Sequence, residues 1–232
     1  MRNVGLALAL GAAVLGPART PAHDLWLERS ADGFVLRAGH RGAEAAGIDA
    51  ASVEAVRCAR AGEPSRALDP PRRGADGALR IAGRCDAASA LVDHGFFVLT
   101  PDGEKHLKRS EAPDAVRSWR SRQFAKWVDA RSTAAPAPLG DALEIVPVTD
   151  LARARVGAKI TLRVLLEGRP APGAIVSMGH QQLAETASSG EARVKVRHSG
   201  LESVTASLKR PLGTPDADTE VLEASLSFEV ER

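Results

Sequence analysis

The sequence predicts an all-β protein in which an N-terminal β domain is followed by an immunoglobulin-like β-sandwich. Short runs in which apolar and polar residues alternate, the period of a half-buried strand, recur along the chain. Clusters of Gly, Pro, Asp and Ser separate these runs and are typical of turns. Aromatic residues make up only 3% of the chain and Tyr is absent, so the core must consist mainly of Val, Leu, Ile and Ala.

The first 22 residues have the composition of a secretory signal peptide. Arg2 supplies the positive start, residues 4–15 are apolar, and Thr-Pro-Ala at 20–22 provides small residues for cleavage. The apolar stretch is shorter than the ~20 residues of a membrane span, which favours a cleaved signal over a retained anchor. We therefore expect a periplasmic protein that begins at His23 and has no stable membrane insertion.

Charge argues against a nucleic-acid-binding protein. The chain has 31 basic and 29 acidic residues, and two of the basic ones, Arg2 and Arg19, belong to the predicted signal. The mature chain would thus hold 29 residues of each sign. A protein that binds nucleic acid should carry a clear basic excess, so we expect no such partner.

The first predicted element after the signal is a β-hairpin. Leu25 and Leu27 alternate with polar neighbours, Ala-Asp-Gly at 31–33 is a turn, and 34–38 is the returning strand. A two-residue turn at 31–32 places His40 opposite His23, and one at 32–33 places it diagonally. In both registers the two imidazoles share a face and can reach one metal ion, whereas a three-residue turn would separate them.

The segment from 43 to 131 completes the predicted N-terminal β domain, 23–131. Strands are expected around 53–60, 78–81 and 94–100, and the Pro-, Arg- and Gly-rich stretch 63–77 reads as a long surface loop. Residues 105–131 fit a helix and a strand about equally well by period, and both alternatives stay open.

Two cysteines, Cys58 and Cys85, lie in this segment. In an oxidising compartment two cysteines usually form a disulfide, which favours a Cys58–Cys85 bond. The competing interpretation is a metal site with two thiolate ligands.

A Pro- and Ala-rich linker, 132–142, separates the two predicted domains. The second domain, 143–232, contains short alternating runs closed by Gly, Pro and Ser: 143–148, 159–166, 174–178, 192–196, 204–208 and 221–230. Strands at this spacing indicate an immunoglobulin-like β-sandwich.

The sequence contains no recognisable catalytic motif. Zinc-protease, nucleophile-elbow, P-loop and dinucleotide signatures are missing, and the carboxylates are scattered. A binding site is therefore the better hypothesis, and we expect no enzyme activity. A third hypothesis, an N-terminal His copper enzyme, needs a redox-active copper site with an open position, and the sequence offers nothing for a substrate.

A metal site is the sharpest functional hypothesis. An N-terminal His23 would offer an α-amine and an imidazole together, and His40 is the best second ligand by the hairpin argument. His94 begins a strand and His180 ends one, so both are further candidates. Nitrogen ligands suit Ni and Co, and also Cu and Zn. A structural or adhesion-type interaction protein without a metal is the main alternative.

Several segments resemble one family of periplasmic nickel/cobalt-transport accessory proteins, classed under a domain of unknown function. The matching segments are 22–28, Gly39-His40, 99–103, 139–140 with 143–147, and 168–170 with 173–174. The resemblance implies an exported, all-β, two-part protein that handles Ni or Co beside a membrane metal transporter, with His23 and His40 as ligands. This chain departs from the family in Arg41-Gly42, where Pro and an aromatic residue are commoner, and in its cysteine pair.

Overall fold

The computed structural model describes residues 24–40, 45–179 and 181–231, and this part of the chain is all-β, as predicted. The predicted signal peptide, His23 and His180 lie outside the described residues. Three short 3-10 helices connect strands: Ala50–Ser52, Arg109–Glu111 and Leu151–Arg153. Among the described residues, no helix is long and apolar enough to cross a membrane.

Eighteen strands follow one another along the described chain. The first ten are β1 (Asp24–Ser30), β2 (Gly33–Gly39), β3 (Ala45–Ala46), β4 (Val53–Ala59), β5 (Arg66–Ala67), β6 (Arg72–Arg73), β7 (Leu79–Ala82), β8 (Ala87–Thr100), β9 (Gly103–Lys105) and β10 (Arg117–Val128). The other eight are β11 (Leu143–Pro147), β12 (Lys159–Leu166), β13 (Arg169–Pro170), β14 (Ile175–Met178), β15 (Gln181–Glu185), β16 (Glu191–Lys195), β17 (Gly200–Thr214) and β18 (Ala217–Val230).

These strands form three sheets. The N-terminal sheet has the order β1-β2-β7-β6, with β3 beside β2. The central sheet has the order β15-β14-β17-β18-β10-β8-β4-β5, with β9 beside β8. The C-terminal sheet has the order β11-β12-β13, with β16 beside β12.

The central sheet is buried on both faces, so the protein has three layers. In β10, Ala125 and Trp127 join the core beneath the N-terminal sheet, together with Leu25 and Leu27 of β1. Phe124 and Val128 of the same strand join the core beneath the C-terminal sheet. Because successive side chains of a strand point to opposite faces, one strand supplies both cores.

A parallel pair of strands crosses the predicted domain boundary. β10 precedes the predicted linker 132–142 and β18 follows it, yet they pair from Trp119 with Thr219 to Trp127 with Ser227. Parallel strands require a long crossover, and here the crossover includes the whole C-terminal sheet. The predicted domains, 23–131 and 143–232, thus both contribute strands to the central sheet. Residues 117–128, whose period fitted both a helix and a strand, form β10.

A buried ion pair joins the central sheet to the C-terminal sheet. Lys126 Nζ lies 2.7 Å from Glu144 Oε1 and also donates to the carbonyl of Ala137 at 2.9 Å. The Glu144 carboxylate accepts from the backbone N–H groups of Leu139 and Gly140, at 2.7 and 3.1 Å. Both charged side chains are only 2% exposed. The pair therefore holds the predicted linker segment, 132–142, against both sheets.

The predicted disulfide between Cys58 and Cys85 is confirmed. Cys58 lies in β4, and Cys85 lies between β7 and β8. The bond therefore ties the central sheet to the segment that connects it with the N-terminal sheet. Both residues are buried in the core between these two sheets.

Removing this disulfide should destabilise the protein. The bond closes a loop over a sequence separation of 27 residues. In the chain-entropy model, a loop of this length corresponds to about 3–4 kcal/mol. We expect the double variant Cys58→Ala/Cys85→Ala to lose about that much free energy of unfolding in urea titrations. A loss below about 1 kcal/mol would show that the bond does not restrict the unfolded chain in this way.

Removing both partners of the buried ion pair should cost less free energy of unfolding than the sum of the costs of removing each partner alone. Lys126→Met leaves the Glu144 carboxylate buried without its cation, which typically costs about 3–5 kcal/mol. The double variant Lys126→Met/Glu144→Leu removes both charges and should lose less than the sum of the two single losses. Urea unfolding measures all three, with the exposed Lys159→Met as the matched control. If the loss in the double variant equalled the sum of the two single losses, Lys126 and Glu144 would not be coupled.

Candidate functional site

The hairpin of β1 and β2 has a two-residue turn. Ser30 pairs with Gly33, so Ala31 and Asp32 form the turn. Gly33 is required there, because its backbone has a φ of +156° and a Cβ would lie 2.1 Å from the carbonyl oxygen of Ile81. This close contact with β7 fixes the register of the hairpin.

The register places His40 at the open end of the hairpin. The last described pair joins Asp24 to Gly39, so His40 is the next residue after the pairing ends. His40 is half-buried and lies outside β2. The φ of Gly39 is +126°, so the strand alternation of Phe34, Leu36 and Ala38 ends before His40.

Three side chains form a polar row on the facing side of the central sheet. His94 Nε2 lies 2.8 Å from Gln123 Oε1, and Gln123 Nε2 donates to Glu223 Oε1 at 3.0 Å. The three residues come from β8, β10 and β18, which are neighbours in the sheet. We call His94, Gln123 and Glu223 the polar row.

The open end of the hairpin lies against the polar row. The charge of Asp24, the first residue of β1, acts on Glu223. Two residues further along β18, Ser225 Oγ donates to the carbonyl of Leu25 at 2.5 Å. The start of β1 is therefore docked directly over this part of the central sheet.

His94 is positioned by a β-bulge. The pairing of β8 with β10 shifts so that Ser121 faces Gly95 and Arg122 faces Asp93, which leaves His94 as the extra residue. Bulges redirect side chains and often occur beside functional sites. Gly95 has the φ of +76° that the bulge requires.

Gln123 determines which nitrogen of His94 can accept a bond. Because the Gln123 amide nitrogen donates to Glu223, its oxygen must accept, and His94 Nε2 must carry the proton. This assignment follows from the hydrogen-bond network. In the neutral imidazole, His94 Nδ1 then keeps its lone pair, the arrangement of a metal-binding imidazole whose other N–H is held by an oxygen.

The carboxyl group of Glu223 has an unusually high pKa. Burial raises its pKa to about 7, the negative charge of Asp24 raises it in the same direction, and the hydrogen bond from Gln123 opposes the shift. Near neutral pH the carboxyl is thus divided between its protonated and ionised forms.

Aromatic side chains occupy the same face of the central sheet next to the polar row. The rings of Phe97 and Trp119 stack with their centroids 5.7 Å apart and an interplanar angle of 13°. The His106 ring lies 4.8 Å from Phe97, and its Nε2 is 2.7 Å from the carbonyl oxygen of His94. We call Phe97, Trp119 and His106 the aromatic platform.

Two of the four predicted metal ligands lie among the described residues: His40 follows the open end of the hairpin, and His94 belongs to the polar row. The other two, His23 and His180, lie outside the described residues and stay predictions. The strands flanking His180, β14 and β15, are separated from β8 by β17, β18 and β10. Within 24–40, 45–179 and 181–231, no group of three or more His, Cys, Asp or Glu side chains could hold a metal ion.

Sequence reasoning missed Gln123 and Glu223. They lie 100 residues apart and meet only because β10 and β18 pair in parallel. The available signal was weak, because both strands contain several other polar residues.

Fold and site together define an all-β protein with a histidine-containing polar site between two of its three sheets. Residues 21–210 match the family described as a domain of unknown function, DUF4198, and the chain belongs to that family. No curated protein matches the sequence. The resemblance to a family with an uncharacterised domain is confirmed, whereas the association with nickel or cobalt stays a prediction.

The metal-free protein should become less stable as pH rises through the titration of Glu223. Its pKa is about 7 in the folded chain against an ordinary 4.5, so the folded state holds this proton more tightly. The stabilising contribution is complete below about pH 4.5 and is lost as pH rises through about 7. Glu223→Gln removes the charge and should therefore stabilise the protein at pH 8 by about 3 kcal/mol, with little effect at pH 4.5.

Urea titrations at pH 4.5, 6 and 8 measure this effect. Glu229→Gln, an exposed glutamate on the same strand, is the matched control. Equal effects of Glu223→Gln at all three pH values would contradict the assigned acidity.

Proposed function

We propose that the protein is a periplasmic binding protein for a divalent transition metal, Ni or Co, which passes the ion to a membrane metal transporter. The observation that supports this most is the hairpin register, which puts His40 directly after the pair of Asp24 and Gly39, next to the point where the mature chain would begin. The choice of Ni or Co rests on the family resemblance, and nitrogen ligands also suit Cu and Zn.

The first ligands of the proposed site come from the mature N-terminus. Cleavage after Ala22 would give His23 a free α-amine beside its imidazole, and the two groups can chelate one ion. If the pairing of Asp24 with Gly39 continues by one residue, His23 stands opposite His40. Directly opposite residues have Cβ atoms about 4.5–5.5 Å apart, within joint reach of one metal ion.

His94 is the proposed ligand from the central sheet. Its Nδ1 lone pair is available because Gln123 holds Nε2–H. Asp24 and Glu223 add negative charge close by, which favours a dication by simple Coulomb attraction. His180 lies outside the described residues and stays a predicted further ligand.

Calorimetric titration of Ni²⁺ and Co²⁺ into protein that begins at His23 tests the proposal. An extra alanine before His23 would convert the amine into an amide, and we expect it to weaken binding by about tenfold or more. His40→Ala and His94→Ala should do the same. His198→Ala is the control, because this exposed histidine contacts Glu202 at 3.6 Å, away from the site.

Two outcomes would overturn the proposal. One is a mass spectrum of the exported protein with an N-terminus other than His23. The other is affinity for both metals that the extra alanine leaves unchanged. Either result would favour the non-metal alternative, an interaction module built on the β-sandwich.

A further inference from the structure

The outer face of the C-terminal sheet is basic at one end. In β12 and β16 the even-numbered side chains belong to the core or pack against it, so the odd-numbered ones point outward. The outward residues include Lys159 of β12 and Arg193 and Lys195 of β16, and all three are exposed. Together with Arg197, which follows β16, they line one cavity of about 250 Å³. We call Lys159, Arg193, Lys195 and Arg197 the basic face.

The basic face has no acidic partner. Within the part of the chain that the structure describes, no carboxylate forms an ion pair with any of its four side chains. Glu191, at the start of β16, pairs with Arg163 at 2.5 Å instead. The guanidinium of Arg197 donates to the amide oxygen of Gln181 at 2.9 Å, which leaves its charge in place. Lysine and arginine are protonated at neutral pH, so the face keeps its positive charges uncompensated.

Two of these cations stand directly opposite each other. Lys159 pairs with Lys195 in the register of β12 and β16. Directly opposite side chains have Cβ atoms about 4.5–5.5 Å apart, so like charges at such a pair repel each other and destabilise the sheet. At the other end of the same pair of strands, Arg163 faces Glu191 and the charges attract. A local conflict of this kind is expected where residues serve a function, which for cations means an anionic partner outside the chain.

Exposed apolar side chains border the basic face. Val148 is 49% exposed, and its backbone N–H donates to the carbonyl of Thr161 in β12 at 2.9 Å. Val156 is 54% exposed and lies in the turn just before Lys159. These two are among only four large apolar side chains that are exposed in the described part of the chain. Cations combined with apolar side chains on one surface are typical of proteins that lie on a membrane.

We propose that the basic face docks the protein on a membrane surface that contains anionic phospholipids. The four cations complement the lipid phosphates, and Val148 and Val156 would enter the boundary between headgroups and acyl chains. A free anion would use the cations but leave both valines in water, so a lipid surface accounts for more of this face. The contact is peripheral and needs none of the proposed metal ligands, so the inference is independent of the proposed function.

Sedimentation with lipid vesicles tests the docking. Protein that begins at His23 is mixed with vesicles of phosphatidylcholine alone, or with vesicles that also contain about 30% phosphatidylglycerol, in EDTA and about 50 mM NaCl. We expect binding to the anionic vesicles to be tighter by about tenfold or more. Raising the salt to about 500 mM should release the protein, because screening shortens the range of the attraction.

Substitutions in the basic face should remove the binding. Each Lys or Arg close to an anionic membrane contributes about fivefold in affinity. The triple variant Lys159→Gln/Arg193→Gln/Lys195→Gln should therefore bind the anionic vesicles about a hundredfold more weakly. All three residues are exposed, and the substitutions also remove the repulsion between the two lysines, so the fold should be retained.

Two matched controls assign the binding to this face. The triple variant Arg66→Gln/Arg72→Gln/Arg84→Gln makes the same change in net charge at exposed positions of the N-terminal half, and it should weaken binding by less than about threefold. Val148→Ser should weaken binding by about threefold, because less apolar surface enters the membrane. Val116→Ser, at a valine that is 67% exposed just before β10, should have no such effect.

Equal binding of anionic and neutral vesicles, including no binding of either, would overturn the inference. Equal losses in the two triple variants would overturn it as well. Polyglutamate is titrated in parallel, and a protein that binds polyglutamate but no vesicles would dock an acidic protein instead of a membrane. Because EDTA is present throughout, none of these outcomes bears on the proposed metal site.

Discussion

The parallel pairing of β10 with β18 is the constraint on which the rest of the structure depends. It joins segments about 100 residues apart in the sequence and makes one sheet from strands of both halves of the chain. It also creates the polar row, because Gln123 and Glu223 are directly paired. Without this pairing the two cores would have no common wall, and Gln123 would lack the carboxylate that orients its amide.

Because both faces of β10 are buried, few types of side chain fit along this strand. Its odd-numbered residues from 123 to 127 face the N-terminal sheet, and its even-numbered ones face the C-terminal sheet. Polar side chains are tolerated inside this strand only where they have hydrogen-bond partners. Lys126 has a carboxylate and a carbonyl as partners, and Gln123 bonds on both sides. A charged or amide side chain in such a strand therefore marks either a structural junction or a site.

Local features were predictable from the sequence, and non-local ones were not. The first hairpin, its short turn and the Cys58–Cys85 bond follow from residue types and spacing, and so does the all-β class. The sequence predicts two separate domains and misses the central sheet that they share. Periodicity identifies strands but does not specify which strands pair across a crossover. The bulge that redirects His94 was equally hidden, since it arises from the register between β8 and β10.

The close contact of Gly33 with the Ile81 carbonyl has a consequence for how this protein can vary. The turn is anchored, so β1 acts as a ruler that counts back seven residues, from Ser30 to Asp24, to the open end of the hairpin. Adding or deleting one residue between the turn and the start of the chain would send the first side chain to the opposite face of the sheet. Length changes in this stretch should therefore be tolerated in steps of two, because only an even change keeps the side chains before the turn on their own faces of the sheet.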